Sequence, residues 1–231
     1  MGIPKIIHYC WFGKEEKPKI VQECIESWRN CLNDYKIIEW NEENFPIKEF
    51  NFTTKAYEDN NWIFVSEYCR LYALYNYGGI YLETDMEILK SIDDLLDNSS
   101  FGGLEDGAVA FGIWGCKKYD KFILEVLKYY NNLNYEDYKK EFKEDGIKIQ
   151  LSLIAEYFGY NRNTKNISIF YNNVAIYPDE YFYPKNNKNK NYKSLENAYC
   201  RHCNKSYKRR LNYILKTKFK KKVLKYIRGF K

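Results

Sequence analysis

The stretch YNYGGIYLETDMEIL, residues 75–89, indicates both the fold class and the site of this chain. Its apolar centre, Ile80-Tyr81-Leu82, follows a Gly-Gly pair and runs directly into two carboxylates spaced two residues apart, Glu83 and Asp85. Side chains alternate along a strand, so the two acids are expected on the same side, where they repel each other unless a positive charge lies between them. The spacing therefore predicts a bound cation beyond the end of a strand.

The residues upstream of this stretch predict alternating strands and helices. Apolar runs predict strands within residues 4–12 and 35–40. Between them, apolar residues recur at helical spacing: Val21, Cys24, Ile25 and Trp28. Residues 62–77 carry a second helical pattern, which the Gly-Gly pair ends because glycine tolerates a left-handed backbone. This order favours an α/β fold with a parallel start.

The apolar pattern is weaker in the downstream half of the sequence, but it still predicts further elements. They are a short helix at 91–97, strand-like pieces within 100–116, helices near 119–131 and 148–158, extended segments within 167–184, and an exposed polar loop at 184–193.

The composition favours a globular domain in a reducing compartment. With 231 residues, 45% hydrophobic and 19% aromatic, the chain can bury one sizeable core. No stretch approaches the roughly 20 apolar residues of a membrane-spanning helix. The seven cysteines are scattered and odd in number, and the start of the chain does not read as a signal peptide, so a cytoplasmic location is expected.

The net charge of +6 conceals a strong segregation of charge. From Lys205 onward there are 12 Lys or Arg and no acids, which leaves 25 bases against all 31 acids in the rest of the chain. Apolar residues in this tail recur at helical spacing: Leu211, Ile214, Leu215, Phe219, Val223, Ile227 and Phe230. Residues 208–231 are therefore predicted to form a basic amphipathic helix on an anionic membrane surface. Packing onto the domain and an RNA-binding arm are the alternatives.

The acid pair occupies the place where ligands gather in open α/β sheets, beyond the carboxyl ends of strands. Paired carboxylates suit Mn²⁺ or Mg²⁺, which take one or two acids plus substrate phosphates. Taken alone, an acid-x-acid pair is more often a solvated loop. Glu67 and Arg70 lie three apart on the preceding helix and can face the same cleft, or form a surface ion pair. Trp11 follows the first strand, where it can stack on a planar base or pack in the core.

Three segments carry a resemblance to a known family: IPKIIHYCWFG, FVSEYCRLYALYNYGGIYLETD and RHCNKSY. From about Ile3 to Tyr207 the chain resembles the DXD-containing glycosyltransferases of family 32, which include capsule and lipopolysaccharide sugar transferases, a yeast mannosyltransferase and glucosylating toxin domains. The resemblance implies a GT-A fold over residues 1–207, Rossmann-like α/β with a mixed central sheet and flanking helices. It also implies a nucleotide-sugar donor, a divalent metal, usually Mn²⁺, and transfer with retention at the anomeric carbon.

On the donor side, the resemblance assigns Trp11 to stacking on the base. Glu67 and Arg70 match the Asp and Arg that hold the donor sugar, and Tyr81 matches a residue that lies against the sugar and phosphates. Glu67 is one methylene longer than the usual Asp.

On the metal side, the resemblance makes Asp85 the direct ligand and places Glu83, another Glu in place of Asp, near the ribose and metal-bound water. His202 and Ser206 match residues close to the metal and diphosphate. In the same segment, Arg201 and Tyr207 replace the expected His and Trp.

Two further groups of residues are open to more than one interpretation. Glu105 and Asp106, in a Gly-flanked loop, are candidates for the acceptor side of the cleft or for a solvated turn. Cys200, His202 and Cys203 suggest zinc, but the second pair of ligands that structural zinc sites need is missing.

The expected function is metal-dependent retaining transfer of a hexose, with Asp85, Glu83 and Arg70 as the catalytic set. The donor is expected to be UDP-linked, and the acceptor a saccharide or lipid-linked saccharide in surface polysaccharide synthesis. The protein is expected on the inner face of the cell membrane, and no nucleic-acid partner is expected. The alternatives are a non-catalytic protein that binds nucleotide sugars or anionic surfaces, and a nucleotide-sugar hydrolase.

Overall fold

The computed structural model describes residues 2–141, 146–162, 166–184 and 195–203. The strands are β1 (Ile6–Cys10), β2 (Lys36–Trp40), β3 (Gly79–Leu82), β4 (Met86–Ile88), β5 (Ser100–Glu105), β6 (Ala108–Cys116), β7 (Ser168–Phe170), β8 (Val174–Tyr177) and β9 (Cys200–His202). The helices are α1 (Lys19–Cys31), α2 (Asn51–Glu58), α3 (Trp62–Tyr77), α4 (Lys121–Asn131), α5 (Tyr135–Glu141), α6 (Gly146–Tyr157) and α7 (Asp179–Phe182).

Seven of these strands form a mixed sheet in the order β2-β1-β3-β6-β5-β8-β7, while β4 and β9 form a separate antiparallel pair. Strand β1 lies parallel to both β2 and β3, and β3 is antiparallel to β6. The predicted α/β fold with a mixed central sheet and flanking helices is confirmed. Because β1 and β3 are parallel neighbours, the residues that follow them meet at one edge of the sheet.

Helix α3 is the central helix, and most of its length is buried against the sheet and α4. Its first turn is capped by Asn61, whose side chain accepts a hydrogen bond from the backbone N–H of Phe64. Its last turn ends where predicted, because Gly78 and Gly79 both have positive φ values that a side chain would strain. Helix α1 covers the other face, where the Trp28 indole donates to the carbonyl of Met86 at 2.6 Å.

Several elements differ from the sequence-based prediction. The helix predicted at 91–97 is only a 3₁₀ turn at Asp93–Leu95. Helices α2 and α5 were not predicted: α2 contains two β-branched threonines, which are weak helix formers, and α5 is short and mostly polar. Their positions depend on packing, since Phe52 of α2 contacts Tyr135 and Tyr138 of α5.

Some predictions fall wholly or mainly outside the described residues. The polar loop at 184–193 lies outside except for Pro184, and the basic amphipathic helix at 208–231 lies outside entirely. Among the helices that the structure does describe, none has the length and apolar character needed to cross a bilayer.

Candidate functional site

A cleft of about 480 Å³ lies where β1 and β3 end. Residues of α1 and of the first turn of α3 also line it. The cleft is lined by seven of the residues predicted from sequence: Trp11, Glu67, Arg70, Tyr81, Glu83, Asp85 and His202. Residues that are far apart in the chain therefore form one site.

The acid pair lies in a turn rather than on a strand. Strand β3 ends at Leu82, and Glu83, Thr84 and Asp85 lead into β4. The Glu83 N–H donates to the carbonyl of Gly112 at 2.8 Å. Gly112 has no side chain, and a Cβ there would lie 2.7 Å from the Tyr183 hydroxyl and 3.3 Å from Glu83 Oε2. The glycine at this position therefore leaves room chiefly for the Tyr183 hydroxyl and also relieves crowding of the Glu83 carboxylate.

His202 reaches the acids through the small second sheet. Strand β9 pairs with β4 so that His202 lies opposite Met86, and the Cys203 N–H donates to the Asp85 carbonyl at 2.9 Å. The His202 Nε2 atom is 2.9 Å from Asp85 Oδ2 and 4.0 Å from Glu83 Oε2. Burial opposes a charged imidazole, but hydrogen bonds to the surrounding carboxylates outweigh it and raise the pKa of His202 to about 10.

The donor set of this cluster fits a divalent cation. Ligand atoms of Glu83, Asp85 and His202 all lie within 4.8 Å of one another. Two carboxylates and an imidazole suit Mn²⁺. The three residues also leave positions for substrate phosphates, which Mg²⁺ and Mn²⁺ sites commonly use. The acids do lie in a turn, but their partly exposed side chains line the cleft, and that of Asp85 contacts His202.

Arg70 joins the cluster to the rest of the cleft. Its guanidinium donates to Glu83 Oε1 at 3.0 Å and to the Phe111 carbonyl at 3.2 Å, and it stacks 4.7 Å from the ring centroid of Tyr81. Burial disfavours the cation, but nearby Tyr81, Glu83 and Glu67 raise the pKa of Arg70 above its ordinary value. The surface ion-pair interpretation of Glu67 and Arg70 is wrong, since they are 1% and 4% exposed.

Glu67 lies at the buried end of the cleft. Its Oε2 accepts hydrogen bonds from the Tyr138 hydroxyl at 2.6 Å and the Tyr130 hydroxyl at 3.2 Å. Burial raises the pKa of Glu67 to about 7, although both tyrosines and the charge of Arg70 oppose the rise. The two tyrosines were not predicted, because no local pattern in α4 or α5 connects them with position 67.

Trp11 lies at the opposite end of the cleft and is only half-buried. Its indole donates to the Glu15 carbonyl at 2.7 Å, and the Lys17 ammonium lies 5.6 Å from the ring centroid. Trp62, which was not predicted as a site residue, lines the same cleft from the first turn of α3. Its position directly after the helix-capping Asn61 is the signal that could have placed it at a helix end. Trp11 and Trp62 give this end of the cleft an aromatic lining.

The remaining predicted site residues have different outcomes. Glu105 accepts a hydrogen bond from His202 Nδ1 at 2.7 Å. Asp106 is exposed and is not among the described residues that line the cleft; its N–H donates to Asp179. Ser206 lies outside the described residues.

The zinc interpretation of the Cys-x-x-Cys segment is not supported by the geometry. The Cys200 thiol contacts the Phe182 carbonyl, and the Cys203 thiol contacts Glu87. Within the described part of the chain, the cluster suited to a metal contains His202 and two carboxylates, but neither cysteine.

Part of this chain is similar to known proteins. Residues 18–102 match the family model described as a glycosyltransferase sugar-binding region containing a DXD motif. Inositol phosphoceramide mannosyltransferase 3 of Schizosaccharomyces pombe is 26% identical over 135 residues, covering 55% of this chain and 37% of that protein. An uncharacterized Arabidopsis thaliana protein is 33% identical over 127 residues, covering 53% of this chain and 18% of that protein.

The chain thus spans 37% of the length of the first of these curated relatives and 18% of the second. Among solved structures, the PaToxG glycosyltransferase matches with a TM-score of 0.49 and 16% identity, covering 65% of each chain.

Proposed function

We propose that this protein is a metal-dependent glycosyltransferase that moves a hexose from a nucleotide-sugar donor with retention of configuration. The observation that carries the proposal is the convergence of Glu83, Asp85 and His202 beside the buried Arg70 in one cleft. The match of residues 18–102 to a DXD-type sugar-binding region supports it.

The chemical problem in glycosyl transfer is the negative charge that develops on the departing diphosphate. A divalent cation held by Asp85, Glu83 and His202 would act as a Lewis acid on the leaving oxygens. Arg70 adds a fixed positive charge on the sugar side, and its hydrogen bonds to Glu83 and to the Ser66 and Phe111 carbonyls keep it in place before the substrate arrives. The residues therefore stabilise the developing charge by electrostatic preorganisation.

Attack on the same face of the sugar as the leaving group is the proposed route to retention. Covalent catalysis would need a carboxylate free to attack the anomeric carbon. Arg70 holds the Glu83 carboxylate, the tyrosine hydroxyls bind that of Glu67, and the Asp85 carboxylate would be engaged by the cation. In the proposed route, the leaving phosphate accepts the proton of the acceptor hydroxyl.

The donor is proposed to be UDP-linked, with its base against Trp11 and its sugar between Glu67 and Arg70. The acceptor is proposed to be a saccharide or lipid-linked saccharide in surface polysaccharide synthesis. The name of the Schizosaccharomyces pombe relative, an inositol phosphoceramide mannosyltransferase, supports a lipid-bearing acceptor and makes mannose a sugar to test alongside glucose and galactose.

The first experiment measures thermal stabilisation of the full chain by UDP and GDP, each with and without Mn²⁺. We expect stabilisation only when nucleotide and cation are both present, because the diphosphate completes the cation's ligand set. Trp11→Ala should weaken nucleotide binding by about 1–3 kcal/mol, the range for stacking on a base. Cation-independent binding of either nucleotide would contradict the proposal.

The second experiment distinguishes transfer from hydrolysis and from simple binding. A panel of nucleotide sugars is incubated with Mn²⁺ and either no acceptor or a mixture of saccharide acceptors. We expect slow hydrolysis that glycoside acceptors accelerate and divert into a new product. Hydrolysis unaffected by every acceptor would favour the hydrolase alternative, and binding without turnover would favour the non-catalytic one.

Location at the inner face of the membrane is proposed from the sequence of residues 208–231 alone. Each Lys or Arg near an anionic surface contributes about 1 kcal/mol, so binding should weaken as salt screens the charges. Sedimentation with anionic liposomes, compared between the full chain and a chain ending at residue 207, tests it. Full-length protein that stays in solution at low salt would exclude this location.

A further inference from the structure

The imidazole of His202 is held by carboxylates on both of its nitrogens. Nε2 faces Asp85 in the cleft at 2.9 Å, while Nδ1 faces Glu105 Oε1 at 2.7 Å on the side away from Asp85. The His202 side chain is 10% exposed and that of Glu105 is 16% exposed. Water therefore competes only weakly for the bond between them.

The other histidine of the chain shows that this arrangement is not general. His8 is fully buried, and its Nε2–H donates to the Gly78 carbonyl while its Nδ1 accepts from the Trp40 indole. Neither partner is a carboxylate, and burial lowers the pKa of His8 to about 4. His8 therefore fills the core as a neutral ring, whereas His202 is bordered by acids.

A histidine that ligates a metal must offer an unprotonated nitrogen, which means that its single proton has to remain on the other nitrogen. Metal-ligating histidines commonly donate this second N–H to a carboxylate, which fixes the ring orientation and makes the ligand nitrogen more basic. Glu105 is the residue in that position. It is the last residue of β5, directly before a turn in which Asp106 and Gly107 both have positive φ.

We propose that Glu105 is a positioning residue for the metal site: it holds the Nδ1–H of His202 and thereby presents Nε2 as a ligand to the cation. This replaces its predicted role on the acceptor side of the cleft. The inference rests on the proposed function, because it assigns a role within the same site. In this arrangement, Glu105 orients the imidazole of His202 before any nucleotide binds.

The test measures Mn²⁺ binding by the full-length protein without nucleotide, using the loss of the free-ion electron paramagnetic resonance signal. Loss of a carboxylate that hydrogen-bonds a metal-ligating histidine typically lowers metal affinity by about 10–100-fold, so we expect Glu105→Ala to weaken binding within that range. Glu105→Gln keeps the size of the side chain and can still accept the hydrogen bond, so we expect a smaller loss. Asp106→Asn removes the same charge one residue further along, and we expect it to bind Mn²⁺ as the wild type does.

A double-mutant cycle with His202→Ala separates positioning from a general structural effect. If Glu105 acts through His202, Glu105→Ala should cause no further loss of Mn²⁺ affinity once His202 is alanine. Equal losses in the two backgrounds would overturn the inference, as would wild-type affinity in both Glu105 variants. Wild-type protein that fails to bind Mn²⁺ would overturn the proposed metal site itself, and the inference with it. Melting temperatures of every variant identify any that fail to fold, and Glu105→Gln provides the isosteric comparison.

Discussion

Two glutamates in the same cleft have opposite environments. The Glu67 carboxylate is buried, and neutral tyrosine hydroxyls donate to it. The Glu83 side chain is 27% exposed and pairs with the Arg70 guanidinium. In each case glutamate stands where the resembled family usually has aspartate. The residue type alone therefore does not decide what a carboxylate in this cleft does; its partners decide it.

Because the environments of the two glutamates differ, we call the part of the cleft around Glu83 the charged end and the part around Glu67 the buried end. The charged end gathers two acids and a histidine suited to a cation, while the buried end holds a carboxylate whose pKa is raised to about 7. Arg70 lies between them, contacting Glu83 directly and Glu67 through its charge. Four substitutions test this division, from the largest expected effect to the smallest.

Asp85→Asn should have the largest effect. An amide at position 85 cannot offset the charge of a divalent cation, and the loss of several kcal/mol of transition-state stabilisation corresponds to about 10³-fold in turnover. The variant should still fold, because the amide at position 85 can keep a hydrogen bond with His202, and the melting temperature without cation checks this. Steady-state kinetics with the donor identified by the panel give the result. Full activity of this variant would show that a cation at the charged end is not needed for turnover.

Glu67→Gln should change how stability depends on pH. Because the pKa of Glu67 is about 7 in the folded protein and about 4.5 in the unfolded chain, the folded state binds an extra proton between these values. Wild-type stability should therefore fall by about 3 kcal/mol, relative to the variant, as the pH rises from 4.5 to 7. Denaturant unfolding at several pH values measures it. Glu26→Gln, on the exposed face of α1, serves as the control and should run parallel to the wild type.

A pH dependence that is the same in wild type and Glu67→Gln would show that Glu67 is not held protonated. The tyrosines would then stabilise the charged carboxylate more strongly than burial destabilises it. The buried end of the cleft would in that case resemble the charged end, and the comparison would fail.

Arg70→Lys should lower kcat/KM by about 10–100-fold. The guanidinium donates from Nη1 to Glu83 and the Phe111 carbonyl and from Nε to the Ser66 carbonyl, and the single nitrogen of an ammonium does not reproduce donors at two fixed positions. Hydrogen bonds to charged groups contribute about 1.5–3 kcal/mol, which sets the range. Lys128→Arg, the reverse exchange at a half-buried position on α4 that pairs with Glu125, is the control. Wild-type kinetics in Arg70→Lys would mean that turnover needs only a positive charge at position 70 and not the geometry of the guanidinium.

Glu83→Asp should have the smallest effect, a few-fold change in turnover in either direction. Aspartate is the residue usual at this position in the resembled family. Its side chain is one methylene shorter, so its carboxylate lies about 1.5 Å further from Arg70. Metal-dependent turnover, compared with that of the wild type, measures it. Complete loss of activity in a folded Glu83→Asp protein would show that the pairing with Arg70 requires the longer side chain.

Much of the fold could be predicted because the deciding signals are local. The Gly-Gly pair ends α3 and the apolar run after it forms β3, both readable from neighbouring residues. The amphipathic pattern of α1 places Trp28 inside in the same way. Helix α5 could not be predicted, because its seven residues become a helix only where Tyr135 and Tyr138 pack against Phe52.

For the site, the sequence by itself indicated seven of the residues that line the cleft. The acid-x-acid turn after a strand, the Glu67 and Arg70 spacing, and the aromatic residue after β1 all follow from chain order, since the carboxyl ends of parallel strands meet. Only the tertiary structure decided how these groups pair. His202 joins Asp85 through the β4 and β9 pair, Glu105 reaches the far side of that imidazole, and Tyr130 and Tyr138 bury the Glu67 carboxylate. These contacts join residues from 63 to 117 positions apart in the chain. Contacts between residues so far apart in sequence depend on how the whole fold packs, because local propensity does not specify them.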